Sequence, residues 1–252
     1  MASSQRRLSQ KQKRKANANR QTNVLTMRDI EPITNTQETL FDLYDEDFNI
    51  AAVGTAGTGK TMCALYLALS DVLELPEYER VIVVRSAVQT REQGFMPGSK
   101  AQKEAVYTAP YQDIVNSLFG RGDAWEILKS RRIIEFMTSS FVRGLTFDNA
   151  IIVVDECQSM TYHELDSIIT RVGESSKIIF CGDTAQDDLQ QSRNRADVSG
   201  LADFLNVIRK IQSFKVVNFK PADIVRSGVV KEYIIAKENL NRNLRLVEPA
   251  LA

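Results

Sequence analysis

Asn49-Ile50-Ala51-Ala52-Val53-Gly54-Thr55-Ala56-Gly57-Thr58-Gly59-Lys60-Thr61 is the stretch on which the reading of this chain turns. A short apolar run leads into G-x-x-x-x-G-K-T, the spelling of a loop that wraps a polyphosphate (a P-loop). Gly54, Gly57 and Gly59 carry no side chain, so backbone N–H groups can close on an anion. Lys60 supplies positive charge for the β- and γ-phosphates. The Thr61 hydroxyl is placed to ligate Mg²⁺ at the start of the following helix, where the dipole favours negative charge. Gly54, Thr55, Ala56, Gly57, Thr58, Gly59, Lys60 and Thr61 are therefore the expected nucleotide-binding residues.

Working outward, a helix is expected from Gln37 to about Tyr44, with Leu40, Phe41 and Tyr44 on one face. The helix after the P-loop runs from Lys60 to about Leu73 and is apolar nearly all round, which predicts burial. Arg80 to Val84 and Ala150 to Val154 are continuous β-branched runs, as fully buried parallel strands require. A weak strand is read at Ile133–Met137, and two further strands at Lys177–Cys181 and Phe214–Phe219. Helical spacing recurs at Tyr111, Ile114, Val115 and Leu118, and from Tyr162 to Val172. A last helix is expected from Arg226 or Val229 to Ala236. Strands alternating with helices imply crossover connections and a parallel sheet with helices on both faces, in one α/β domain.

Two further strand ends carry chemistry. Ile151-Ile152-Val153-Val154-Asp155-Glu156 finishes in two acids, and ligands of parallel sheets sit beyond the carboxyl ends of strands. Asp155 is expected to hold Mg²⁺ together with Thr61, and Glu156 suits a general base that activates water. Ile178-Ile179-Phe180-Cys181-Gly182-Asp183-Thr184-Ala185-Gln186 ends another buried run in polar residues. If that strand lies between those of the P-loop and Asp155, Gln186 faces the γ-phosphate and Asp183 supports it.

Composition sets outer limits. At 252 residues, 43% hydrophobic and 25% charged, the chain has the balance of a soluble globular protein. No apolar run approaches a bilayer span, and the polar, basic N-terminus lacks the apolar core of a secretory signal. Cys63, Cys157 and Cys181 have no metal spacing and are read as core residues of a cytoplasmic protein. One histidine, His163, excludes a His-based metal cluster. Trp125 and Tyr107 are read as packing residues. The net charge of zero conceals a basic tail: residues 1–20 hold Arg6, Arg7, Lys11, Lys13, Arg14, Lys15 and Arg20 with no acid, leaving −7 for the remainder. Such a tail is expected to be disordered, and it serves either as a nucleic-acid-binding arm or as a solubilising extension.

Together, G-T-A-G-T-G-K-T, V-V-D-E-C-Q and C-G-D-T-A-Q resemble motifs I, II and III of superfamily 1 helicase cores. The more specific resemblance is to the PhoH-like ATPases, and it covers roughly Ile33 to Lys237. It rests also on Gln37 in Thr34-Asn35-Thr36-Gln37, on Arg85 with Gly94-Phe95-Met96-Pro97-Gly98, and on Lys103, Pro110 and Asp113. Arg143-Gly144 with Thr146-Phe147, Thr170-Arg171-Val172-Gly173, Ser199-Gly200-Leu201 and Asp223-Ile224-Val225-Arg226 continue it in order. Departures are Ser86 for Pro, Leu145 for Arg, Ser159 for Asn and Ser227 for His. The chain resembles short forms carried by bacteriophages.

The resemblance implies a RecA-like P-loop NTPase core over about residues 24–240, with a basic tail at 1–23 and a C-terminal tail at 241–252. It implies that Gln37 contacts the nucleotide, that ATP and Mg²⁺ are bound, and that subunits assemble into a ring, favoured as a hexamer. The catalytic set is then Lys60, Glu156, Gln186 and an arginine that stabilises transition-state charge. Two-domain helicases bring that arginine from a second RecA-like domain, for which the residues after Phe219 are too few. Arg226 is the foremost candidate, with Arg171 and Arg143 behind it. RNA or single-stranded DNA is the expected further partner. The alternative is an ATP-gated protein-interaction module with slow hydrolysis. A small-molecule kinase fits poorly, because a transferase must avoid activating water.

Overall fold

The run of β-branched residues at Arg80–Arg85 (β2) and its counterpart at Ala150–Asp155 (β4) lie side by side in register, Val81 beside Ile151 through Arg85 beside Asp155. They belong to a six-stranded sheet with β1 (Asn49–Gly54), β3 (Ile134–Thr138), β5 (Lys177–Gly182) and β6 (Phe214–Phe219). Each adjacent pair is parallel, and the spatial order is β3-β2-β4-β5-β1-β6. This computed structural model describes residues 25–86, 100–183 and 200–247.

Alternation along the strands divides the core in two. Ile50, Ala52, Val81, Val83, Ile151, Val153, Ile179 and Cys181 point to one face. That face is covered by helices α1 (Asn35–Asp45), α2 (Lys60–Glu74), α3 (Lys100–Phe119) and α4 (Ala124–Ser130). Ala51, Val53, Ile82, Val84, Ile152, Val154, Ile178 and Phe180 point to the other, where α5 (Tyr162–Ile169) and α6 (Leu201–Ile208) pack. Helix α7 (Gly228–Val247) follows β6. This is the parallel sheet with helices on both faces that the alternating pattern implies, in the RecA-like P-loop form that the resemblance implies.

Most expected elements fall within a residue or two of their read boundaries, and the exceptions have local causes. Helix α5 stops at Ile169, because Val172 leaves the helix to bridge Phe147 in parallel. Helix α3 begins at Lys100 and carries Pro110 in its interior, where the proline is solvent-exposed. Seven-residue α4 has no counterpart in the sequence reading, being too short for a periodic signal; it buries Trp125 and Leu128. Helix α7 continues to Val247, well past Ala236. Trp125, Cys63, Cys157 and Cys181 are buried core residues, as read. The buried Lys177 is satisfied by the Tyr44 carbonyl at 3.1 Å, by Asp47 at 2.8 Å and by the face of the Tyr44 ring.

Candidate nucleotide site

The P-loop is pinned by the edge strand. Thr55 N–H donates to the Phe219 carbonyl at 3.1 Å, so the end of β6 fixes the path of the chain as it leaves β1. Gly54 has φ of 124°, and a Cβ there would stand 2.1 Å from the Phe219 oxygen, so no other residue fits. Within the loop, Thr58 Oγ1 donates to the Thr55 carbonyl at 3.0 Å. Gln37 is buried, with its Nε2 donating to the Thr58 carbonyl at 2.9 Å and its Oε1 accepting from Ile33 N–H at 2.8 Å. Helix α1 is thereby clamped to the phosphate loop.

Lys60 opens α2 and folds back into the loop. Its Nζ donates to the carbonyls of Gly54 at 3.0 Å and Thr55 at 2.6 Å. Burial lowers its pKa; Asp183, Cys181, Asp155 and Glu156 around it act in the opposite direction. Those neighbours include three carboxylates facing a single ammonium, an environment that a bound divalent cation would balance.

Thr61 Oγ1 donates to Asp155 Oδ1 at 2.8 Å, joining the start of α2 to the end of β4 across 94 residues. The second oxygen, Oδ2, accepts from the Tyr111 hydroxyl of α3 at 3.0 Å. A hydroxyl and a carboxylate side by side are hard oxygen ligands that suit Mg²⁺, which keeps water and takes phosphate oxygens for the rest of its shell. No cluster of three or more His, Cys, Asp or Glu with metal-holding geometry occurs among the described residues. The donor set therefore fits an ion held jointly with a nucleotide.

Glu156 follows in the left-handed region, with φ of 56°, which turns its side chain out of the strand line. Its Oε2 accepts from Gln158 Nε2, and Gln158 Oε1 accepts from Asp183 N–H at 2.8 Å. Gln158 thus ties the end of β4 to the end of β5. Gln186 and the Gly94–Gly98 stretch lie outside the described residues. On the opposite side of the loop, Val225 N–H donates to the Gly57 carbonyl at 3.1 Å. A Cβ on Gly57 would stand 3.0 Å from Arg226 Cγ, so the Arg226 stem lies against the P-loop of its own chain. Arg171 and Arg143 are found elsewhere, in a cleft between α5 and the β3–β4 connection.

Tyr111 and Gln158 are site residues to which sequence reading gave no role. Tyr111 sat in an ordinary helical stripe, and Gln158 was a letter of a resembling motif.

Asp155 has a pH signature. Burial pushes its carboxyl up to about 6, with Glu156 adding to the effect and the Thr61 and Tyr111 hydrogen bonds opposing it. The folded value exceeds the ordinary 3.8, so the folded state holds this proton more tightly than the unfolded chain. Stability from this group is therefore present at low pH and lost as pH rises through about 6, by about 3 kcal/mol at most. Asp155→Asn is expected to flatten that dependence in urea titrations of nucleotide-free protein at about pH 5 and about pH 7.5. Identical pH profiles for both proteins would refute the assignment. A metal held by Asp155 would make the reverse demand, since it would need the charged carboxylate.

The chain has relatives among known proteins. The family described as "PhoH-like protein" matches residues 29–238. The chain is 33% identical over 193 residues to the PhoH-like protein of Bacillus subtilis, covering 76% of this chain and 59% of that one. It is 33% identical over 189 residues to Protein PhoH of Escherichia coli, covering 74% and 52%. The chain thus spans a little over half the length of these curated relatives. Among solved structures, it aligns with the large terminase of a thermophilic bacteriophage in complex with ADP, at TM-score 0.46 and 13% identity over 80% of this chain and 49% of that one. It aligns with the Pif1 helicase of Candida albicans at TM-score 0.44 and 16% identity, covering 88% and 49%. By family match and by relatives alike, this chain belongs to the PhoH-like proteins, as a P-loop NTPase.

Proposed function

We propose that this protein is a Mg²⁺-dependent ATPase whose hydrolysis is coupled to binding or remodelling RNA or single-stranded nucleic acid, in an oligomeric ring favoured as a hexamer. The observation that carries the reading is the linked set Thr61–Asp155 and Glu156–Gln158–Asp183 beside the P-loop. Backbone amides from Gly54 to Thr61 and the Lys60 ammonium hold the phosphates. Thr61 and Asp155 hold Mg²⁺, which when bound neutralises phosphate charge and fixes phosphate geometry. Glu156 takes the proton of the attacking water, its carboxylate steadied by Gln158. Gln186 senses the γ-phosphate, and Arg226 meets the developing charge from within the same chain. Gln37 acts through the Thr58 carbonyl, holding the loop as the nucleotide docks.

The ATPase unit is assigned to residues 24–240, flanked by the basic tail at 1–23 and a terminal segment at 241–252. Among the described residues no helix is long and apolar enough to cross a membrane. A cytoplasmic setting, or a host's cytoplasm for a phage-borne form, suits the three reduced, buried cysteines.

An ATP-gated protein-interaction module with slow hydrolysis is the second reading. Two observations favour it: the −7 balance outside the tail, and the large apolar side chains Val229, Tyr233 and Leu240 exposed on α7. The deciding experiment measures ATP hydrolysis with and without single-stranded RNA, using Glu156→Gln as control. Stimulation by RNA that vanishes in the variant is the expected result. Glu156-dependent hydrolysis indifferent to RNA and to single-stranded DNA would favour the second reading.

A further inference from the structure

Helix α5 lies on the face of the sheet opposite the P-loop helix α2. Between α5 and the segment joining β3 to β4 is an open cleft of about 280 Å³, lined by Arg143, Gly144, His163, Ser167 and Arg171. His163 and Ser167 stand one turn apart on α5, and Arg171 follows in the turn that ends the helix. Arg143 reaches the same cleft from the other wall.

The charges there are one-sided. Among the described residues no carboxylate lines the cleft. Acids on the adjoining stretches have other partners: Glu164 accepts from Thr161 and from Ser139, and Asp148 accepts from the Glu174 N–H. Neither arginine forms an ion pair among the described residues, with Asp166 or any other acid. Among the described residues the buried Arg171 Nε–H has no hydrogen-bond partner, and its Nη2 has the Thr170 hydroxyl at 3.5 Å. A buried guanidinium donor unmatched among the described residues is open to an acceptor that a ligand supplies. Gly144, at φ of 80°, leaves the space above it open, with nothing within 4 Å of a built Cβ. Beside this cleft Tyr162 is 41% exposed, an aromatic face next to His163.

We infer that this cleft binds a backbone phosphate of a single-stranded nucleic acid, at a site separate from the P-loop. Guanidinium forks match the paired oxygens of a phosphodiester. The Ser167 hydroxyl and a ring N–H of His163 add further donors, and Tyr162 offers a stacking surface for a neighbouring base, the combination that sequence-tolerant single-strand binding uses. This rests on the nucleic-acid reading above and gives it a location.

The test uses the full chain and a fluorescein-labelled single-stranded oligouridylate, followed by polarisation across a KCl series. Arg143→Gln with Arg171→Gln is expected to weaken binding about tenfold near 0.1 M salt and to shrink the slope of log affinity against log salt by about 0.7, one phosphate contact's worth. The tail's seven cations contribute equally in both proteins. Arg143→Gln alone, at an exposed position, is expected to give about half of that slope change. Lysine at both positions should restore the slope while leaving affinity below that of the wild type, because the charge returns without the fork. A double variant that melts at the wild-type temperature and keeps both affinity and slope would overturn the assignment. So would arginine-dependent calorimetric binding of inorganic phosphate by a wild type that ignores the oligonucleotide, since the cleft would then take a free phosphate. Arginine-dependent oligonucleotide binding with RNA-indifferent hydrolysis would uphold the cleft and remove only the coupling.

Discussion

Replacing Glu156 by Gln is expected to lower the turnover of ATP about a thousandfold while leaving nucleotide affinity within about threefold. The substitution removes a proton acceptor and almost nothing else. Gln158 Oε1 is already committed to the Asp183 N–H, so its Nε2 continues to donate, now to the oxygen of the new amide. The link between the ends of β4 and β5 therefore survives, and with it the shape of the site. Steady-state hydrolysis and a fluorescent-nucleotide titration on the same preparations separate the two effects. A variant that hydrolyses within tenfold of the wild type would assign the base elsewhere. One that loses nucleotide affinity in parallel would make Glu156 a binding group.

Lys60→Ala acts on binding itself. The ammonium rests on the carbonyls of Gly54 and Thr55, in a pocket where burial disfavours its charge and nearby acids favour it. Triphosphate oxygens would take over those contacts with a stronger, charge-assisted bond. Losing such a partner costs about 3 kcal/mol, which is a loss of affinity of about a hundredfold. Titration with a fluorescent triphosphate reads this directly, and a melting curve controls for the two loop carbonyls left without their donor. Unchanged affinity would mean that Lys60 stays on the loop carbonyls when nucleotide is present.

Much of the site was legible because its parts are local. Gly54 to Thr61 is one continuous turn, and Asp155-Glu156 are consecutive at the end of an unmistakable strand. The same holds for the sheet, since β-branched runs and the helices between them announce a parallel α/β domain without any knowledge of contacts. Short or weakly periodic pieces were harder. Helix α4 has too few residues to show a period, and α5 ends early because Val172 is drawn into a bridge with Phe147.

The sequence alone, then, determined the phosphate loop, the two acids that end β4, the parallel sheet and the family. Each of these is a property of residues adjacent in the chain or of a periodic pattern along it. The fold decided which distant residues complete the site: Tyr111 on Asp155 across 44 positions, Gln158 on Asp183 across 25, and Gln37 on Thr58 across 21. It also laid Arg226 against Gly57 and gathered Arg143 with Arg171 on the opposite face of the sheet from α2. Such contacts depend on how helices are rotated and docked on the sheet, which packing sets to within an ångström and no local spelling records.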